Sequence, residues 1–328
     1  MSSTANSGLP SCEATQTARN YYNSPDADRF YAQVWGGEDI HVGLYRHADE
    51  PIKQASRRTV EQLADRLQAT GEHADQPGQP VPLRVAPSRF APIAADSLVL
   101  DIGSGYGGAA RRLAERFGCR VTCVNVSEAE NERNRQLNQA AGLSERIEVL
   151  DGTFEALPVD DASVDFVWSQ DAILHAGDRR RVLAEVDRAL RPGGRFVFTD
   201  PMQSDDCPAG VLDAILARIH LTNLGSPSFY RQVAAELGWQ DVEFADHTDQ
   251  LINHYRRVLE TTQAMHASLA QKISAKYLSH MKAGLQRWVD GGKQGYLAWG
   301  IFVFAKPFAP QLGYRKLHLG QHSPRAQF

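Results

Sequence analysis

The sequence predicts an α/β protein built on a doubly wound, mostly parallel sheet, with a helical segment before the sheet and a mainly helical stretch over its edge. Three observations carry this expectation. Between Leu98 and Gln170 short strand-like runs alternate with helical patterns. The first run, "LVLDIG", feeds a loop, "GSGYGG", that opens a helix, and a closing apolar run, "YLAWGIFVFAKP", reads as a last strand.

Taken in order, residues 1–20 are rich in Ser, Thr and Ala without apolar periodicity and read as a flexible tail, with order beginning near Tyr21. Residues 21–95 read as a helical cap and linker. This segment holds the aromatic stretch "YYNSPDADRFYAQVWGGEDIHVGLY" and an amphipathic helix from Pro51 to Leu67, with Ile52, Val60, Leu63 and Leu67 on one stripe. The Pro- and Gly-rich run after it reads as a long connection. Residues 96–205 form the core, alternating "SLVLDIG", "GAARRLAERFG", "RVTCVNV", "EAENERNRQLNQAAG", "IEVLDG" and "VDFVWSQ". The helix "DRRRVLAEVDRALRPGG" is expected to stop at Pro192, and "RFVFTD" is the next strand. Residues 206–290 read as a mainly helical insertion, broken by the strand "DVEFADHT". The final strand falls in 291–308, and 309–328 read as a tail.

Of 328 residues, 42% are hydrophobic and 23% charged, enough for a large core with a polar surface. A formal net charge of -4 supplies no basic field for nucleic acid or anionic membrane, and no apolar run approaches the length of a membrane span. A cytoplasmic enzyme, monomer or homodimer, is the expectation. Cys12, Cys119, Cys123 and Cys207 form no C-x-x-C pair and lie beside no His in zinc spacing, so they read as thiols and no metal is expected.

The glycine loop is G-x-G-x-G-G rather than the G-x-G-x-x-G of a dinucleotide site. Its glycines let a ligand approach the backbone closely. Asn125 ends the second strand, where a nicotinamide fold normally places an acid; its amide can still hydrogen-bond ribose hydroxyls.

On the other side, Tyr21, Tyr22, Phe30, Tyr31 and Trp35 offer enough aromatic faces to cage an alkylammonium, each favourable contact contributing about 0.5–2 kcal/mol. Phe30 reads as core; Tyr22 and Trp35 read as functional. In "QDAILHAGD", Asp171 and His175 are four apart and would share a face if the segment turns helical. His175 then becomes a general base or a positioning group.

The motifs "DGTFEALPVDDASVDFVWSQDAILH" and "ALRPGGRFVFTDP" resemble those of class I S-adenosylmethionine-dependent methyltransferases. That resemblance implies a cofactor, S-adenosyl-L-methionine, with Gly103 and Gly105 at its methionine part, Asn125 at its ribose, and Gly152, Thr153 and Phe154 flanking its adenine. It also implies Asp101 and Gln170 facing its amino-acid portion. The pieces "VWGGEDIHVGLY", "VTCVNVSEAENERNR", "LGSPSFYRQVA", "INHYRRV" and "GLQRWVDGGKQGYLAWGIFVF" narrow the resemblance to the sarcosine/dimethylglycine N-methyltransferases, which make glycine betaine. The related phosphoethanolamine N-methyltransferases have an "RDAILH"-like stretch, which makes Tyr22 and His175 candidates for holding the amine; Gln170 stands here where that group has Arg.

An amino-acid acceptor also needs a partner for its carboxylate, and a guanidinium is the best geometric match. Arg218, Arg256 and Arg257 are available for that role, as are His254 and Tyr255, with Tyr31, Trp35 and Asp171 nearer the amine. Three other readings stay open: another small amine such as phosphoethanolamine, a carbon acceptor in a lipid or natural product, and a cofactor-binding protein without catalysis. A nicotinamide dehydrogenase is the most distant alternative.

Overall fold

The computed structural model describes residues 13–35, 37–69, 90–219 and 221–308. Residues 1–12 and 309–328 of the expected tails, and residues 70–89 of the expected linker, lie outside them.

Helix α1 (Glu13–Tyr22) overturns part of the first expectation, because order begins before Tyr21. Tertiary contacts hold it where periodicity gave no sign: Thr15 and Ala18 are buried, and Arg19 pairs with Glu128. Ser24 caps α2 (Pro25–Phe30) by accepting from Ala27 N, with Pro25 at the first position, and a π-helical turn follows over Tyr31–Trp35. Helix α3 (Ile52–Gln68) then buries the predicted stripe of Ile52, Val60, Leu63 and Leu67.

The core follows as expected: β1 (Leu98–Ile102), α4 (Gly108–Phe117), β2 (Arg120–Asn125), α5 (Glu128–Ala140), β3 (Ile147–Asp151), β4 (Val164–Gln170) and α6 (Arg179–Ala189). Strand β5 (Leu190–Thr199) begins earlier than its apolar run suggests. Leu190 leaves the helix with extended backbone and pairs with Val164; the chain then shifts register through Pro192, Gly193 and Gly194 before pairing resumes at Arg195. Strand β6 (Met202–Gln203) is followed by α7 (Asp213–Leu216), α8 (Pro227–Glu236), β7 (Gln240–Asp246), α9 (Thr248–Ala264), α10 (His266–Leu269) and α11 (Ala275–Lys293). Strands β8 (Leu297–Ala298) and β9 (Gly300–Ala305) complete the order.

Seven strands form one sheet in the order β3-β2-β1-β4-β5-β9-β7. The pairs from β3 to β5 are parallel, whereas β9 runs antiparallel to β5 and β7. Residues 206–290 are therefore not a single insertion: β7 is an edge of the main sheet, and α8 packs against β7 and α6. Of this stretch, α7 and α9–α11 are what packs, as a cap, on the site's side of the sheet. Side chains alternate between two buried layers, as the pleat requires. Leu100, Val167, Phe196, Phe198 and Phe302 face α6 and α8; Val99, Cys123, Trp168, Val197 and Ile301 face α3, α4 and the cap. Cys119 and Cys123 are free thiols in this second layer.

Buried Arg195 fastens the cap helix α3 to the sheet. Its guanidinium donates to the carbonyls of Arg66, Leu67 and Ala69 at the C-terminal end of α3 and to Ala91, and burial lowers its pKa to about 10. The segment from Asp39 to Leu44 lies along the start of α3: Ser56 Oγ donates to His41 O, and Thr59 Oγ1 donates to Val42 O. Gly43 permits this approach, since a Cβ there would lie 2.6 Å from the Ala55 Cβ.

Candidate active site

Two small cavities adjoin at the carboxyl ends of the parallel strands, the place where open α/β sheets bind ligands. One is lined by Asp101, Gly103, Ser104, Gly105, Trp168 and Gln170; the other by Tyr22, Tyr31, Trp35, Asp171, His175, Tyr255 and Trp288. Ile40 and His41 line both.

The first cavity follows from the glycine loop. Gly103 has φ 76° and a Cβ there would lie 2.3 Å from the Ala172 Cβ, so no other residue can turn the chain so close beneath Phe154. Asp101, next to the last residue of β1, is 2% exposed, with its Oδ2 unpartnered among the described residues, and burial raises its carboxyl to a pKa of about 7. Gln170 Nε2 is also buried without a partner among the described residues, while Gln170 Oε1 accepts from Trp168 Nε1 at 3.1 Å, and the buried Ser104 Oγ has the Cys123 thiol beside it. An acceptor, a hydroxyl and an amide donor thus converge on one small space. That set suits the ammonium and carboxylate of an amino acid such as the methionine end of S-adenosylmethionine.

At the end of β2, Asn125 Nδ2 donates to Glu130 Oε2 at 2.9 Å. Glu130 belongs to the first turn of α5, where Ser127 Oγ caps its N–H at 3.2 Å, and burial raises its pKa to about 7. The acid missing from the strand end is therefore supplied by the next helix. Gly152 N donates to Asn125 O at 3.1 Å, and Thr153 is buried beside it, so the next strand end meets the same corner.

The second cavity is aromatic. Tyr22 and Tyr31 have ring centroids 5.9 Å apart, Tyr31 and Trp35 5.2 Å, Trp35 and Tyr255 5.8 Å, and Tyr255 stacks on Trp288 at 4.8 Å. Tyr22 Oη lies 2.9 Å from His175 Nε2, joining the N-terminal helix to the turn after β4. Asp171 has φ 51°, with Oδ1 accepting from Trp299 Nε1 and Oδ2 from Val42 N, each at 2.7 Å. These bonds hold the Ile40–Val42 segment against the sheet. Trp35 Nε1, His41 Nε2, His254 Nε2 and Trp288 Nε1 are buried without a hydrogen-bond partner among the described residues. An unpaired buried polar group costs about 1–3 kcal/mol, which a ligand offering the right atoms would recover.

A methyltransferase-domain family model matches residues 100–198. The chain is 51% identical to the sarcosine/dimethylglycine N-methyltransferase of Halorhodospira halochloris, covering 90% of this chain and 97% of that one. It is also 51% identical to the enzyme of the same name from Aphanothece halophytica, covering 88% and 96%. The chain belongs to the sarcosine/dimethylglycine N-methyltransferase family. A crystal structure of a Galdieria sulphuraria protein assigned as a sarcosine dimethylglycine methyltransferase superposes with a TM-score of 0.78 at 39% identity, over 88% of this chain and 100% of that one.

In this N-methyltransferase the structure gathers the residues singled out from sequence unevenly. Asp101, Gly103, Gly105 and Gln170 line the first cavity, with Phe154 against Gly103, and Tyr22, Tyr31, Trp35, Asp171, His175 and Tyr255 line the second. Phe30 is core, packed against Tyr277. Asp171 and His175 do not share a helix face, because Asp171 has a left-handed backbone and only Ile173–His175 form a 3-10 turn. Both oxygens of Asp171 already accept an N–H, which makes it a brace for the chamber wall.

His254 packs on Trp35 with ring centroids 5.1 Å apart. Arg256 and Arg257 do not line the chamber: both pair with Glu260, and they donate to the carbonyls of Ala48 and Asp49 respectively. The side chain of Arg218 lies outside the described residues. Sequence reasoning missed His41, Glu130, Trp288 and Trp299. For Glu130 a signal existed, since "SEAE" at a helix start is a capping box whose acid folds back towards the strand end.

Proposed function

We propose that the enzyme transfers methyl groups from S-adenosyl-L-methionine to sarcosine and N,N-dimethylglycine, with glycine betaine as final product. The observation that carries this reading is the shared wall of Ile40 and His41 between a cavity with an orphaned buried carboxylate and a chamber of aromatic rings. Asp101 Oδ2 would hold the cofactor's ammonium, and Gln170 Nε2 and Ser104 Oγ its carboxylate. Gly103 and Gly105 let the backbone approach its methionine end. Asn125 and Glu130 would take the ribose, and Gly152, Thr153 and Phe154 would flank the adenine.

When bound, the cofactor supplies an electrophilic methyl group on a sulfonium whose leaving thioether is neutral, so this chain needs no acid for the leaving group. Its residues must place an amine lone pair in line with that methyl group and accept the amine's proton. Tyr22 and His175, joined at 2.9 Å, position the nitrogen, and the lone pair of His175 or Tyr22 Oη offers the proton a path out. Tyr31, Trp35 and Tyr255 surround the methylated nitrogen, where cation–π attraction grows as the charge becomes permanent.

Transfer of an isotope-labelled methyl group to dimethylglycine and sarcosine, run beside glycine and phosphoethanolamine, tests this reading. Labelled glycine betaine is the expected product. Its absence, with label passing to another acceptor or to none, overturns the assignment.

A further inference from the structure

Two residues that line the acceptor chamber carry hydrogen-bond donors that no described residue accepts. Trp35 and Trp288 line it with Tyr255 between them, and both indole N–H groups are buried and unpartnered among the described residues. His254 stands against Trp35, 0% exposed. Its Nδ1 accepts the Gly43 N–H at 3.1 Å and lies 2.9 Å from Tyr45 Oη, so a neutral ring carries its hydrogen on Nε2, which is also unpartnered. Burial keeps that ring neutral, lowering its pKa to about 3. No guanidinium or ammonium lines the chamber among the described residues.

We propose that the carboxylate of the amino-acid acceptor is received by neutral N–H donors, Trp35 Nε1 and Trp288 Nε1 supported by His254 Nε2, and not by the α9 arginines Arg256 and Arg257. The inference rests on the reading of the acceptor given above. Neutral donors hold an anionic oxygen without setting a fixed positive charge beside a nitrogen that must first lose its proton and then become a permanent cation. They also reject amines that lack a carboxylate, which would leave the same donors desolvated and unpaired.

The test compares Trp35→Phe and Trp288→Phe, each keeping a ring and losing one N–H, with Arg256→Gln and Arg257→Gln, which alter the two guanidinium groups of α9. Steady-state kinetics with dimethylglycine are measured for each, together with the affinity for glycine betaine and for choline in the presence of S-adenosylhomocysteine. Wild type is expected to bind glycine betaine more tightly than choline. Trp288→Phe should raise KM for dimethylglycine and weaken glycine betaine about tenfold, with choline affinity, S-adenosylhomocysteine affinity and kcat changed little, and Trp35→Phe, which also thins the cation cage, should raise KM and weaken glycine betaine more than it weakens choline. The arginine variants should behave as wild type.

A wild-type enzyme that methylates dimethylglycine, beside Trp→Phe variants that keep its KM and its glycine betaine affinity, overturns the inference alone. An arginine variant that raises KM while the Trp→Phe variants do not also overturns it. A wild type that neither methylates dimethylglycine nor binds glycine betaine overturns the functional reading and this inference with it.

Discussion

The two halves of the active site are opposites in construction. The donor cavity takes half of its lining from one stretch of chain, from Asp101 through the glycine loop to the start of α4. Trp168 and Gln170 come from the neighbouring strand β4, residues 38–41 close the side it shares with the chamber, and its orphaned charged group is an acceptor. The acceptor chamber is assembled from α1, the turn after α2, the segment after β4, α9 and α11, and its orphaned groups are mainly nitrogens. A charged pocket can be set by a few residues at strand ends because backbone geometry places them. A shape-selective aromatic room needs walls from distant helices, and its specificity depends on how those helices pack.

Breaking that division gives the largest expected effect. His175→Asn or Tyr22→Phe should lower kcat by about 100-fold or more while S-adenosylhomocysteine binds as before; isothermal titration alongside kinetics checks both. Loss of cofactor affinity without loss of kcat would mean the two cavities do not divide the work. Next comes Asp101→Asn, which removes a charge-assisted bond worth about 1.5–3 kcal/mol and should weaken S-adenosylhomocysteine by about 10- to 100-fold, with dimethylglycine KM nearly unchanged at saturating donor.

The pH dependence sharpens the same contrast. Asp101 must be ionised to hold an ammonium, and in the free protein it protonates near pH 7, so cofactor affinity should rise about fivefold from pH 6 to pH 7 and about tenfold by pH 8, levelling off above that, with proton release seen in buffers of different ionisation enthalpy. Burial raises Asp101, Glu130 and Asp200 alike to about 7. The folded state then keeps protons that the unfolded chain loses near pH 4, and their contribution to the stability of the ligand-free protein should fall as pH rises from about 4 to about 7. Thermal melts with and without S-adenosylhomocysteine should show a smaller fall when it is bound. The smallest effect is expected from Glu130→Gln, about fivefold on S-adenosylhomocysteine affinity, because Asn125 remains in place.

The same contrast decides what the sequence could reveal. The parallel order from β3 to β5 follows from alternation and loop spacing, and the donor residues lie in motifs a few residues long. Helix α1 was invisible because its order comes from Arg19 and Asn23 reaching α5, more than a hundred residues away. Trp288 reads as core on an amphipathic helix, and only the absence of a partner for its N–H marks it out. The arginines of α9 could have been set aside from spacing alone. Leu251, His254, Tyr255, Val258 and Leu259 form the inward stripe, so Arg256 and Arg257 fall on the flank where Glu260 meets them. Strand β7 was seen but taken for an interruption of the cap, since nothing local states that its partner, β9, comes more than fifty residues later.

The opening turn of α5 acts as a doorpost. Glu128 and Ser127 latch the segment that carries Tyr22, through Arg19 and Asn23, and two residues further along Glu130 reaches the sugar corner at Asn125. A ligand at that corner would touch the same helix start that holds the Tyr22 segment. One helix start thus joins the strand end proposed for the ribose to a wall of the aromatic chamber, so a substitution there reaches both cavities.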